Sequence, residues 1–378
     1  MSPRRSLLVV SPSADGYGSD RALVGIAPIF AERYDVTVVA AADGPTVAML
    51  REAGIEVIIA PDFALRRKFA TPTGIIPASI RVARTAALLR RLHRERNFAG
   101  VYVNTVANMI LPFIRTVVPA PVVVHVREVP RAGDRQNRLI FSQVNRVASL
   151  ALSNSSHTAA FVRRVEPRLT DRIEVVCGGV DDPGVVGRRP DASTPPLEIV
   201  CVGRLHPQKG QAVLLDALGP QIAQGADYRI HFWGDALAEH AHIEAALHEQ
   251  VERYGIADRV VWHGYSSDIT AMYTGMDLAV MPSTWPEGFS LVTVEAQAAG
   301  LPVIATQPGG PTDIVIDGET GRLVGLVDPD GIRQAVEEMS DPNVRERYSA
   351  AGRARYLDRF TTERSARGVA EAVTRLVG

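Results

Sequence analysis

Residues Trp285–Ala305 read WPEGFSLVTVEAQAAGLPVIA. Glu287 and Glu295 bracket an otherwise apolar run, with seven residues between them. A helix that only filled a core would have no use for a carboxylate at each end of its buried face. The preceding DLAVMPS predicts a strand ending near Ser283, TWPEG a loop, and the rest a helix from about Phe289 to Ala299. Glu287 then sits in the loop at the carboxyl end of a strand. The amides of Gly288, Phe289, Ser290 and Leu291 form a helix N-terminus, which attracts phosphate. A carboxylate at Glu295 accepts hydrogen bonds from two vicinal hydroxyls, as in a ribose. The plainer alternative makes Glu287 a helix cap and Glu295 a solvated helix residue.

The surrounding sequence repeats one grammar. LLVV, DVTVVAA, IEVIIA, GVYVN, PVVVHV, LALSN and IEVV are short Val/Ile-rich runs separated by helical patterns such as Arg21–Arg33 and Asp134–Ala148. Such runs suit parallel strands buried on both faces. The alternation breaks at DDPGVVGRRPDASTPP, Asp181 to Pro196, then restarts with LEIVCVG, YRIHFWG, VVWHG, DLAVMPS and PVIAT. The expectation is an α/β protein with two doubly wound parallel-sheet domains, residues 1–183 and 198–344, joined by a linker at 184–197. The strand-free stretch 345–378 is expected to form C-terminal helices that return to the first domain. Ligands of such sheets bind beyond the carboxyl ends of the strands, so two facing domains would hold a site in the cleft between them.

The totals are those of a globular protein. The chain has 378 residues, 46 % of them hydrophobic, and a net charge of −1, which argues against nucleic acid as a partner. Cys177 and Cys201 lie in strand-like runs and are expected to be reduced and buried. The N-terminal apolar run is too short for a signal peptide or a membrane span and reads as a first strand. The expected location is cytoplasmic. Asp328–Asp330 (DPD) has the look of a metal-binding carboxylate pair, but it precedes a helix and an N-cap is the expected role.

Two loops have the chemistry to meet phosphates. SPSADGYGSDR follows the first strand, and Gly16 and Gly18 let the backbone approach an anion. Arg21 stands where a nicotinamide-binding loop would have its third glycine, which disfavours a dehydrogenase. CVGRLHPQKG ends a strand at Gly203 and offers Arg204, a fork for phosphate oxygens, and Lys209, a compact charge. Isolated, the two would read as solvated cations.

Taken together, GRLHPQKG and PEGFSLVTVEAQAAGLPVIATQPGGPTDIV resemble the signature region of retaining glycosyltransferases of family 4. VVCGGVD is similar to the family's domain-crossing segment, with Gly178 in place of asparagine. GYGSDR resembles its acceptor-side loop, with Asp20 for glutamate, and GGPTDIV carries Asp313 for glutamate. The resemblance implies a GT-B fold and transfer, with retention and without a metal or other cofactor, of a sugar from a nucleoside diphosphate, UDP- or GDP-linked. The acceptor would be a glycan, a lipid-linked molecule or a small molecule. Carried over residue by residue, Arg204 and Lys209 stabilise the leaving diphosphate. Glu287 holds the sugar, Phe289, Ser290 and Leu291 offer amides, Glu295 holds the ribose, and Gly16 or Gly18 lies against the donor phosphate. His125, at the end of PVVVHVRE, matches a histidine placed near the transferred sugar, against the alternative of a core histidine. Arg127 and Glu128 are acceptor-side candidates or a buried ion pair.

Phe63–Asn97 is the one strongly basic stretch, with Arg66, Arg67 and Lys68 ahead of a helix that starts at Pro77. Ile80, Ala83, Ala87, Leu88 and Leu92 are expected to pack inward. The stretch is either a solvated helix face or a surface for an acidic acceptor or an anionic membrane, at the inner face of a cytoplasmic leaflet. Two rival functions use the same donor: a nucleotide-sugar epimerase, which needs no acceptor, and a non-catalytic sensor, which needs no leaving-group charge.

Overall fold

The computed structural model describes all residues except 1–3, 13–17, 66–71, 130–132, 188–194 and 238–239. The chain divides into two compact units, Met1–Gly179 with Thr362–Gly378, and Val180–Thr361. The first passage between units thus falls inside the VCGGVD segment, and the return comes at Thr362. The helix Pro342–Arg359 stays in the second unit, and Thr362–Val377 joins the first.

The first unit is a seven-stranded sheet: β1 (Arg5–Ser11), β2 (Tyr34–Ala40), β3 (Glu56–Ile59), β4 (Gly100–Val103), β5 (Val122–Val126), β6 (Leu150–Ser153) and β7 (Ile173–Val175). The order is β3-β2-β1-β4-β5-β6-β7 and every pairing is parallel. The apolar runs are continuous because both faces are covered. Leu8, Val10, Val101 and Val103 pack under Leu89 and Leu92 of the helix Pro72–Arg96. Leu7, Val9, Tyr102 and Val123 pack under Leu23 and Phe30 of Gly18–Ala31 and Val369 and Val373 of Thr362–Val377.

The helix Pro72–Arg96 corrects one expectation. It begins before Pro77, and it is rotated from the face the sequence suggested. Ala78, Thr85, Leu89 and Leu92 are buried, whereas Ile80 is 49 % exposed and Ala83 and Ala87 are exposed. Small and branched apolar residues occur almost all around this helix. Leu89 and Leu92, the largest side chains with a place in the sheet-facing core, set the rotation.

The second unit is a six-stranded parallel sheet: β8 (Leu197–Val202), β9 (Tyr228–Trp233), β10 (Val260–Trp262), β11 (Leu278–Met281), β12 (Val303–Thr306) and β13 (Arg322–Val324). Its order is β10-β9-β8-β11-β12-β13. The three-residue edge strand β13 was not anticipated. In both sheets the winding reverses after the first strand of the unit, between β1 and β4 and between β8 and β11. A crevice for ligands opens at such a switch point. The residues just past β8 and β11 are Gly203–Lys209 and Pro282–Glu287; those past β4 and β5 are Asn104–Thr105 and Arg127–Glu128.

Cys201 is buried and Cys177 half-buried, both as free thiols. Asp328 is an N-cap, its carboxylate accepting from the Gly331 amide at 2.9 Å. Among the described residues no helix is long and apolar enough to cross a membrane.

Candidate functional site

At the switch point of the second sheet, two loops are stitched together. The Thr284 amide donates to the Gln208 carbonyl at 2.9 Å, and the Thr284 hydroxyl to the Pro207 carbonyl at 2.9 Å. Gly210 makes the approach possible. It is left-handed at φ 73°, and a Cβ there would lie 1.8 Å from the Pro282 carbonyl oxygen. On the other side, the Gly310 amide donates to the Glu287 carbonyl at 2.8 Å. A Cβ on Gly310 would come within 2.5 Å of the Gly288 oxygen. The GGPTD loop therefore presses on the PEGF loop from behind.

This scaffold brings Lys209 and Glu287 into contact, Nζ to Oε1, at 2.6 Å. The Ser283 hydroxyl donates to the same oxygen at 2.7 Å. Glu287 is 8 % exposed. Burial pushes its carboxyl up, but the Lys209 charge and the Lys209, Ser283 and Ser290 hydrogen bonds outweigh that and hold it below the ordinary range. Glu287 is thus an ionised carboxylate in a dry setting, not a helix cap. The helix starts later than expected, at Leu291, with Ser290 in the cap position. Among the described residues the amides of Phe289, Ser290 and Leu291 donate no hydrogen bond to the protein. They are open to an anion.

Arg204 follows β8 and is exposed, while its carbonyl accepts from the Gln211 amide group at 2.9 Å. The backbone is pinned and the guanidinium is presented to solvent. Glu295 is 1 % exposed, one helical turn inside Leu291–Ala298, so it is not a solvated helix residue. Trp285 is 44 % exposed. Ser283, which the sequence did not single out, is the hydroxyl that completes the shell of Glu287. Its backbone carbonyl is itself held by the Thr306 hydroxyl at 2.8 Å.

In the first unit, His125 lies in β5 with 2 % exposure. Its Nδ1 is 2.7 Å from the Tyr102 hydroxyl, and Arg127 Nη2 donates to that hydroxyl at 3.1 Å. The guanidinium has only hydrogens to give, so the Tyr102 oxygen accepts from Arg127, and the arrangement that also pairs the hydroxyl proton has Tyr102 donating to Nδ1. In that arrangement the proton of His125 sits on Nε2. Burial, then the Arg127 charge, hold the imidazole well below its ordinary pKa, in the neutral form. Nε2 is buried and has no partner among the described residues. A buried donor in that state is a place where a ligand or a water completes the bonding. Tyr102 is the residue the sequence reading missed. A fully buried tyrosine on a central strand needs a partner for its hydroxyl, and that was the available signal.

Arg127 and Glu128 do not form the expected ion pair. Arg127 Nε donates to the Asn104 carbonyl at 3.0 Å and Nη2 to the Asn104 side chain at 3.2 Å. The Thr105 hydroxyl lies 2.8 and 2.9 Å from the two oxygens of Glu128. Burial pushes the Glu128 carboxyl up, against the Thr105 bond and the Arg127 charge. Gly18 opens the helix Gly18–Ala31, whose Asp20 is fully buried. Gly16, Arg66, Arg67 and Lys68 lie outside the described residues.

Residues 196–341 match the family of glycosyl transferases group 1. The matched segment holds Arg204, Lys209, Glu287 and Glu295. Over 173 residues, 45 % of its length, this chain is 34 % identical to the lipopolysaccharide core biosynthesis mannosyltransferase LpsB of Rhizobium meliloti, covering 49 % of that protein. Over 256 residues, 62 % of this chain, it is 32 % identical to D-inositol 3-phosphate glycosyltransferase 2 of Catenulispora acidiphila, covering 58 % of it. The chain thus spans about half the length of the curated relatives it matches. Its fold is that of Anabaena Alr3699/HepE, solved with UDP and glucose: TM-score 0.82, 24 % identity, 99 % of this chain and 100 % of that one. The architecture is GT-B, two Rossmann-like parallel-sheet units.

Proposed function

We propose that this protein is a retaining glycosyltransferase of family 4 that moves a sugar from a nucleoside diphosphate to an acceptor without a metal. The observation that carries the reading is the Lys209–Glu287 pair, locked by Ser283 at the switch point of the second sheet. A bare diphosphate leaving group needs positive charge that is already in place, because charges organised beforehand cost no rearrangement during reaction. Lys209 and Arg204 supply that charge, and the amides of Phe289, Ser290 and Leu291 add to it. Glu287 holds hydroxyls of the sugar, and Glu295 the ribose. HepE's complex with UDP and glucose supports a UDP-sugar among UDP- and GDP-linked donors.

The first unit serves the acceptor and the transferred sugar. Neutral His125 offers its Nε2 proton to a sugar hydroxyl, which a cationic imidazole fixed by a salt bridge would not do as selectively. Glu128 and Arg127 shape the acceptor site. The acceptor is a glycan, a lipid-linked molecule or a small molecule, and the basic stretch through Arg66, Arg67 and Lys68 gives a salt-sensitive contact with an anionic inner membrane face. In the reaction the acceptor oxygen attacks the anomeric carbon on the face from which the diphosphate leaves. The departing phosphate takes the acceptor proton, and Lys209 and Arg204 hold the charge it gains.

A thermal-shift screen of nucleotide sugars tests the donor. A ligand at a hundred times its Kd adds about 2.7 kcal/mol to stability. The reading expects at least one UDP- or GDP-sugar to stabilise the protein, and the shift to vanish in Lys209→Ala. A flat response to every nucleotide sugar rejects it. Conversion of donor into its epimer, with no acceptor present, replaces transfer by epimerisation.

A further inference from the structure

On the sheet face opposite Tyr102, the first unit has an apolar trough that no step above uses. It runs along the helix Pro72–Arg96 from Ala78 to Arg90, and its other wall is Met109, Phe113 and Val117. Its volume is about 510 Å³, within the range of small-molecule sites. Ala78 to Arg90 spans about 18 Å of helix at 1.5 Å per residue.

The helix Pro72–Arg96 and the trough's far wall carry apolar side chains that folding leaves in water. Ile76 is 71 % exposed, Ile80 49 % and Phe113 50 %. A helix that turns Leu89 and Leu92 inward has no need to carry apolar residues on its outer flank as well. The charges are one-sided too. Among the described residues no Asp or Glu lines the trough. Arg81 reaches Asp62, Arg91 reaches Glu95 and Arg96 pairs with Glu56. Arg90, at the end of the trough, and Arg94, one turn on, have no carboxylate partner among the described residues. The volume and the largely apolar walls fit a hydrocarbon chain, and the unmatched guanidinium at one end fits an anionic head.

We propose that this trough binds a single-chain amphiphile with a phosphate head, its chain between Ala78 and Ala86 and its phosphate on Arg90. Neither glycosyl transfer nor the donor site is needed for this binding, so the two readings fail separately.

Isothermal titration of the full chain with alkyl phosphates below their micelle concentrations tests it. Dodecyl phosphate should bind one to one. Along the octyl, decyl and dodecyl series each methylene should tighten binding about fourfold, or about 0.8 kcal/mol. Dodecyl maltoside, with the same chain and a neutral head, should bind at least about tenfold more weakly, as should dodecyl phosphate to Arg90→Gln. Ala86→Phe fills the trough and should abolish binding while circular dichroism and melting temperature stay unchanged. Val82→Phe gives a second filling variant should Ala86→Phe fail to fold. Equal binding of the maltoside, a flat chain-length series, or unaltered binding in a folded filling variant would overturn the proposal. Inorganic phosphate that binds as tightly as dodecyl phosphate would also overturn it, because the trough would then contribute nothing. A concentration-dependent dimer that Ala86→Phe dissolves would assign the face to a second copy of this chain instead.

Discussion

Lys209 Nζ and Glu287 Oε1 stand 2.6 Å apart, from loops that end two adjacent strands and lie 78 residues apart in sequence. The contact is largely shielded, with 25 % and 8 % of the two side chains exposed. In such a pair the loss of one partner costs more than the pair itself contributes.

Lys209→Ala should therefore act twice. It removes leaving-group charge, lowering turnover by about 10²–10³. It also strands a buried carboxylate, at a cost of about 3–5 kcal/mol. The double variant Lys209→Met with Glu287→Gln should regain most of the stability and none of the activity. Urea unfolding beside turnover measurements on the two variants checks this. A single variant with normal turnover contradicts the assigned role.

Gly210→Ala should separate the two loops without touching a charged group. A left-handed alanine costs about 1–2 kcal/mol, and the methyl would also overlap the Pro282 carbonyl. Nucleotide binding and turnover should fall together, because Lys209 moves away from Glu287. Unchanged kinetics would mean that the loops yield freely.

Tyr102→Phe should leave the donor KM near wild type and reduce turnover by about 10–100-fold, the range known for groups that orient a functional histidine in metal sites. ¹⁵N NMR should show His125 leaving the Nε2-protonated form. A variant with the wild-type tautomer would remove Tyr102 from the account.

His125 also predicts a pH dependence of stability. Its pKa is depressed in the fold, because burial and Arg127 disfavour the cation. In the unfolded chain it gains a proton below about 6.5, so the unfolded state binds more protons and stability falls as pH drops. The contribution is complete above the unfolded pKa and is lost as pH falls toward the folded one. Below pH 6.5 the difference between wild type and His125→Asn should shrink by up to about 1.4 kcal/mol per pH unit. Urea unfolding at several pH values measures it, and a difference independent of pH would contradict a neutral buried imidazole.

The sheets were legible because both faces of each strand are buried, which turns a strand into an apolar run that composition alone reveals. Strand β13 escaped because three residues at an edge, Arg322–Val324, bury little. The loops at Arg204, Lys209 and Glu287 were legible because charge at a strand end is rare without a purpose. The contact between Lys209 and Glu287 was not, because it depends on Gly210 meeting Pro282 across the sheet. Ser283 and Tyr102 read as ordinary strand residues until their partners, Glu287 and His125, are beside them. The rotation of Pro72–Arg96 was misjudged because apolar residues surround it, and only the core shows which of them face inward.

The most direct test of retaining transfer needs no knowledge of the acceptor. With an α-linked nucleotide sugar that stabilises the protein, slow transfer to water releases free sugar, and ¹H NMR before mutarotation reports its first-formed anomer. The account predicts the α anomer, with one nucleoside diphosphate released per sugar, in the presence of EDTA, and strongly reduced release in Lys209→Ala. A first-formed β anomer, or release that stops with EDTA and returns with Mn²⁺, would contradict it.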